Sequence, residues 1–296
     1  MHEKSFIKGM LWMLGSASFL SLSFLAVKLS SVEVSFFLLV FGRFFISFVL
    51  YALYLACRLK LRATLPTSNL RFHLARGFTV TAGMYCLYYY ITISDLLYAT
   101  LFLNIAPMLI PLIERIFLKY PLGKSTVLAL LVSFAGVLFI IRPTGEIFNW
   151  AILIGLSAAI FWATGQTIFG LNVHREALET SVFYFFLMGS AFSFPALFFV
   201  PLHLENFGPT IAFLIFAMGL FTLFNQYMRG LAYTHGKPST MATFIYFSIL
   251  LSALFDWLFF HIIPTTLTLI GALLIILGGV LKVALRHYIL KRKHQK

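Results

Sequence analysis

Ten runs of about twenty apolar residues, separated by short charged or Gly/Pro-containing segments, dominate what this chain can fold into. A helix needs about 20 such residues to cross the hydrocarbon core of a bilayer. The runs lie near 9–28, 34–56, 73–92, 97–118, 125–142, 149–170, 180–200, 210–229, 239–260 and 266–286. Composition agrees, with 10% charged and 61% hydrophobic residues and a mean hydropathy of +0.96. Ordinary soluble domains carry roughly 25% charged residues. A soluble globule could not wet so apolar an exterior, and disordered chains have too little apolar surface to compare. The first run follows Lys4 and Lys8 as a signal sequence would, but it is too long for the apolar region of one, and nine more runs follow. It is read as a retained first helix. The longest loop, around 58–72, leaves no room for a soluble domain. The expected fold class is an all-α integral membrane protein of ten transmembrane helices.

The net charge of +13 is therefore read first as an orientation signal and not as a nucleic-acid footprint. With the N-terminus inside, the inner segments hold Lys4, Lys8, Arg58, Lys60, Arg62, Arg71, Arg76, Lys119, Lys124, Arg175, Arg229 and Lys237. They end with Arg286, Lys291, Arg292, Lys293 and Lys296, against Lys28 and Arg142 outside. Basic residues accumulate on the cytoplasmic side, so both termini are expected there, with the protein multi-pass in the inner (cytoplasmic) membrane. The Lys291-Arg292-Lys293 tail reads either as a stop after the last helix or as a contact for anionic lipid. Cys57 and Cys86 fall at different depths, which predicts no disulfide and no metal site.

An internal repeat divides the ten runs. Pro121…Ala129-Leu130-Leu131…Gly136-Val137-Leu138 recurs as Pro264…Ala272-Leu273-Leu274…Gly279-Val280-Leu281, at a constant offset of 143 residues. Five spans per copy is an odd number, so the second copy enters the membrane from the opposite side. Two five-helix repeats, 1–143 and 144–296, of inverted topology are expected. Such pairs are the architecture of alternating-access carriers, which hold substrate near the midplane where the repeats meet.

Several local patterns fit one known family. Phe41-Gly42-Arg43-Phe44-Phe45, Asn104-Ile105-Ala106-Pro107-Met108, Tyr246-Phe247-Ser248 and the Gly136-Val137 and Gly278-Gly279-Val280 endings resemble motifs of the drug/metabolite transporter superfamily, of the EamA type. The resemblance covers nearly the whole chain and implies a polytopic carrier of small metabolites with a central cavity. The chain departs from the pattern where that family often ends its fourth and ninth spans with a Gly-Glu pair. Lys119-Tyr120 and Phe260-His261 stand there, and acids appear further inside, at Glu114 and Asp256.

Ionisable groups in a membrane span are costly and usually face the protein interior or a wet cavity. Arg43, near the middle of the second span, has two readings: an anion contact in the cavity, or a tie between helices. Asn104, Pro107, Pro111 and Glu114 share one helical face at i, i+3, i+7 and i+10. The two prolines free backbone carbonyls that must find a partner or a wet cavity. Glu114 pairs with Arg115 at the interface or belongs to that cavity. Asp256 lies on a Ser248, Ser252, Asp256 stripe, which suits either close helix packing or function. Glu114 and Asp256 are candidate gate or proton-coupling residues. Tyr85, Tyr89, Trp162, Gln166 and Tyr246 are candidate cavity residues. Their rings would be either core or an aromatic box for an organic cation or a flat heterocycle. Asn225 and Gln226 are candidate interfacial hydrogen-bonders.

All eight histidines fall in loops, tails or span ends, and no H-E-x-x-H, G-x-S-x-G or Walker A sequence is present. No catalytic residue, cofactor or metal is expected. The function expected is secondary transport of a small polar or amphipathic metabolite, such as an amino acid, an S-adenosylmethionine-like compound or a quaternary amine. A membrane enzyme acting on lipid or metabolite is the alternative.

Overall fold

The computed structural model describes residues 3–119, 127–128, 131–132, 134–136, 139, 150–172, 175–199, 207–236 and 241–293. Most of the expected fifth span, together with Pro121, Lys124, Arg142 and Lys237, lies outside them. Every described regular element is helical: α1 (Glu3–Ser30), α2 (Phe36–Cys57), α3 (Leu61–Thr64), α4 (Leu70–Ile93), α5 (Leu96–Leu103) and α6 (Ala106–Leu118) in the first half. The second half holds α7 (Trp150–Asn172), α8 (Leu178–Ser193), α9 (Pro209–His235), α10 (Phe247–Phe260) and α11 (Thr266–Lys293). Among the described residues, six segments are long and apolar enough to cross a membrane: Ser5–Ser30, Phe36–Cys57, Leu96–Phe117, Trp150–Asn172, Leu178–Phe198 and Pro209–His235. Phe244–Phe260 and Thr266–Gly278 are shorter apolar helices.

The helices pack in a pattern that recurs in both halves. α1 lies along α9, and α4 along α7; α2 touches α8 and α9, while α8 also touches α4; α10 meets α5 and α1, while α5 and α6 meet α7. Small residues allow the close approach, as expected where lipid is as apolar as the side chains. A Cβ on Gly165 of α7 would sit 2.3 Å from Val80 Cγ2 of α4. One on Gly219 of α9 would sit 2.6 Å from Ile46 Cγ2 of α2. Buried hydroxyls and amides then pair across the seams. Ser47 Oγ donates to Gly219 O at 2.7 Å, and Asn225 Nδ2 to Ser16 O at 2.7 Å.

The expected fourth span is not one helix. Pro107 has no N–H, so the ladder cannot run unbroken from α5 into α6. Asn104 N–H still reaches Thr100 O (2.9 Å), but Ile105 N–H steps back to Phe102 O (3.0 Å) in a tighter turn. Across this break Asn104 and Pro107 still line one cavity, while Pro111 and Glu114 continue in α6. The ninth span is interrupted at the corresponding depth, where a 3₁₀ turn over Ala242–Tyr246 precedes α10.

The two broken helices also end alike. Lys119 (φ 55°) and His261 (φ 55°) are left-handed, and their N–H groups bond to Glu114 O and Asp256 O respectively. Glycine is the usual residue for that conformation. The sequence thus keeps the backbone of a glycine-terminated helix without the glycine.

Candidate functional site

A central cavity lies where the two halves meet. It is lined by Met13 of α1, Leu103 and Asn104 at the break, Ala106, Pro107 and Ile110 of α6, and Trp162 and Gln166 of α7. Arg229 and Tyr233 of α9 and Ile245 of the 3₁₀ turn complete it. Only about 20 Å³ is open to the centres of water molecules, which is room for a water or two.

Asn104 (1%), Gln166 (2%) and Arg229 (2%) line this small space almost without exposure, beside the buried Tyr233. Asn104 Nδ2 donates to Thr100 O (2.7 Å) and Ser248 Oγ (3.1 Å), which leaves its Oδ1 without a partner among the described residues. Neither polar atom of Gln166 has one, nor has Arg229 Nη2. The Arg229 guanidinium carbon stands 5.1 Å from the Trp162 ring centroid, so the indole covers one side of the cation. The aromatic face read as a seat for an organic cation already holds a cation of the chain itself.

On the side of the cavity toward Lys28, α5 and α10 are joined by a ladder of polar contacts. Asp256 Oδ2 accepts Leu97 N–H at 2.6 Å, and Thr100 Oγ1 and Ser252 Oγ lie 2.8 Å apart. The Asn104–Ser248 bond is the third rung. Asp256 is buried and caps the N-terminus of α5, where exposed N–H groups favour a negative charge. Lys28 Nζ donates to Ile91 O (3.0 Å) and Ser94 O at the end of α4, tying α1 into the same region.

Two further buried cations went unread in the sequence. Arg76 and Arg229 were both expected in inner loops, yet each is 2% exposed inside a helix. Hydropathy falls near both, but α9 runs on through Gly230-Leu231-Ala232-Tyr233 to His235, and that apolar continuation is the signal that was available. Arg76 Nη1 donates to Ser181 O (3.0 Å), with its guanidinium carbon 3.8 Å and 4.4 Å from the Phe169 and Phe185 centroids. His73, also expected at a span end, is buried, with its Nε2 2.7 Å from Glu176 Oε2 and its ring stacked on Tyr184.

Of the candidates named from sequence, Asn104, Pro107, Trp162 and Gln166 come together in the cavity lining, and the others lie elsewhere. Arg43 is buried with its Nη1 donating to Tyr88 Oη at 2.9 Å, so it ties α2 to α4. Tyr85 Oη donates to Ser193 O (3.1 Å), and the 40%-exposed Tyr89 packs its ring near Phe36. Tyr246 is buried beside the lining, Pro111 lies within α6 one turn past Pro107, and Glu114 is half-buried near the end of α6. Among the described residues, no group of His, Cys, Asp and Glu is arranged to hold a metal ion.

The EamA-like transporter family model matches residues 7–142 and again 149–283. The chain belongs to this family. It is thus a multi-pass membrane protein of the drug/metabolite transporter superfamily. It is 26% identical to an S-adenosylmethionine uptake transporter of Rickettsia felis, over 99% of this chain and 98% of that one. It is also 26% identical to a riboflavin transporter of Vibrio cholerae (74% of each chain) and to a pseudopaline exporter of Pseudomonas aeruginosa (69% of this chain, 72% of that one). A crystal structure matches over 98% of this chain and 99% of its own with a TM-score of 0.70 at 17% identity, a likeness of fold alone.

Proposed function

We propose that the chain is a secondary transporter that moves a small polar or amphipathic metabolite across the inner membrane by alternating access. Ten spans form two inverted five-helix repeats, 1–143 and 144–296, with both termini cytoplasmic. The two family matches fall either side of that division, and the helix contacts recur when the halves are exchanged.

The observation that carries the proposal is the cavity of Asn104, Trp162, Gln166 and Arg229 directly beside the α5–α10 ladder. Substrate sits between the broken helices, as in other inverted-repeat carriers. The ladder is the outer gate in its shut state. Its rungs are hydroxyl, amide and carboxylate contacts, which water can replace one by one as the helices part. Asp256 latches that gate, and Glu114 occupies the matching place near the inner end of α6, where the carrier gates or couples to protons.

S-adenosylmethionine is the first substrate to try, because the relatives of that name span the whole chain. The test is uptake of labelled S-adenosylmethionine, riboflavin and amino acids into vesicles holding the purified protein. Accumulation of one unmodified compound is expected. Chemical conversion of the compound by detergent-solubilised protein, with no accumulation in vesicles, would favour a membrane enzyme instead.

A further inference from the structure

Among the described residues three arginines are buried in the helix bundle, and one of them is held differently. Arg43 has the Tyr88 hydroxyl as acceptor, and Arg76 has the Ser181 carbonyl and two aromatic faces. Arg229 has its Nη2 buried without a hydrogen-bond partner and forms no ion pair among the described residues. An arginine cannot shed its proton in a protein, so burial cannot neutralise it. An uncompensated buried charge is strongly destabilising, and buried charges are ordinarily paired. Arg229 also stands within electrostatic reach of Arg43 and of Arg76. Tyr233 is the other titratable group beside it, and no carboxylate forms an ion pair with it among the described residues.

The place where a balancing negative charge can enter is the cavity. Arg229 lines it, Trp162 covers one face of the guanidinium, and the edge bearing Nη2 stays unpaired. Gln166 lines the same space with an amide whose donor and acceptor are both unused. A guanidinium fork matches a planar two-oxygen anion in geometry. One cavity-lining cation balances one negative charge.

We propose that Arg229 is the carboxylate-binding residue of the central cavity, and that the transported metabolite presents a singly charged carboxylate to it. Gln166 orients the carboxylate or the group beside it, and Trp162 stacks on the flat part of the ion pair. Quaternary amines without a carboxylate are excluded as cargo, because they would face Arg229 directly. This rests on the transport reading above and narrows its substrate class.

The test uses the full-length purified protein in detergent, with benzoate and its uncharged isostere benzamide as probes. Binding is followed by quenching of tryptophan fluorescence, with Trp162→Phe identifying the reporting ring, and by the shift in thermal unfolding. Benzoate is expected to bind at least about tenfold more tightly than benzamide, the order for one charge-assisted contact. Arg229→Gln should bring benzoate down to the benzamide level, and Arg229→Lys should retain part of the difference. The comparison of the two probes on the unsubstituted protein stands even if a variant folds poorly. Equal binding of the two probes, undiminished benzoate binding by Arg229→Gln, or no benzoate binding would overturn the proposal. Vesicle uptake of a metabolite lacking a carboxylate, with no benzoate binding, would sink this inference and leave transport standing. Benzoate binding without flux of any metabolite would do the reverse.

Discussion

Asp256 shows how a charged residue in a span can be structural. Its Oδ2 holds the Leu97 N–H at 2.6 Å, so the carboxylate both caps α5 and joins it to α10. Asp256→Ala would leave that buried N–H without a partner and should cost about 1–3 kcal/mol, read as a lowered unfolding temperature. Asp256→Asn keeps an acceptor and should cost less; if it also keeps full uptake, Asp256 has no coupling role. His261 makes a second residue-scale case. It holds φ 55° at the end of α10, where a side chain costs roughly 1–2 kcal/mol that glycine avoids. His261→Gly should therefore stabilise the protein by about 1 kcal/mol, and an unchanged or lower unfolding temperature would contradict that. Sequence singled out Asp256, Asn104, Trp162 and Gln166 because polar or aromatic groups stand out against an apolar run. It hid Arg229, because a cation one turn from a drop in hydropathy reads as a loop residue. Only the further turn of α9 beyond it places the charge inside.

Between elements, packing is decided by where side chains are missing. Val80 of α4 fills the space beside Gly165 of α7 so closely that an added Cβ would lie 2.3 Å from its methyl. Gly165→Ala should therefore separate the α4–α7 seam at a cost of about 1–3 kcal/mol. It should weaken transport as well, since Gln166 is the next residue and faces the cavity. Thermal unfolding and vesicle uptake measured together would check both; a stable, fully active variant would contradict the packing. Apolar run length predicts α1, α2 and α7 to α9 to within several residues, because a membrane-crossing helix leaves an unbroken hydropathy signal. The interruption at Asn104-Ile105 was partly legible through Pro107. The one before α10 was not, since Ala242–Tyr246 contains no proline or glycine to announce a 3₁₀ turn.

For the whole molecule, the offset of 143 residues and the odd number of spans per copy suggest two inverted halves. Contacts between α1 and α9 and between α4 and α7 repeat when the halves are exchanged, as that arrangement requires. What sequence could not supply is the arrangement at the centre: room for a water or two, beside the α5–α10 ladder. In the alternating-access cycle proposed above, this ladder opens in every turn. Thr100 and Ser252, whose hydroxyl oxygens lie 2.8 Å apart, are the place to test it. Both residues changed to cysteine, in a chain whose Cys57 and Cys86 are replaced by serine, should form a disulfide across the shut gate. Vesicle uptake of the identified substrate should stop on oxidation and return on reduction. Uptake that continues undiminished with the disulfide fully formed would contradict alternating access through this gate.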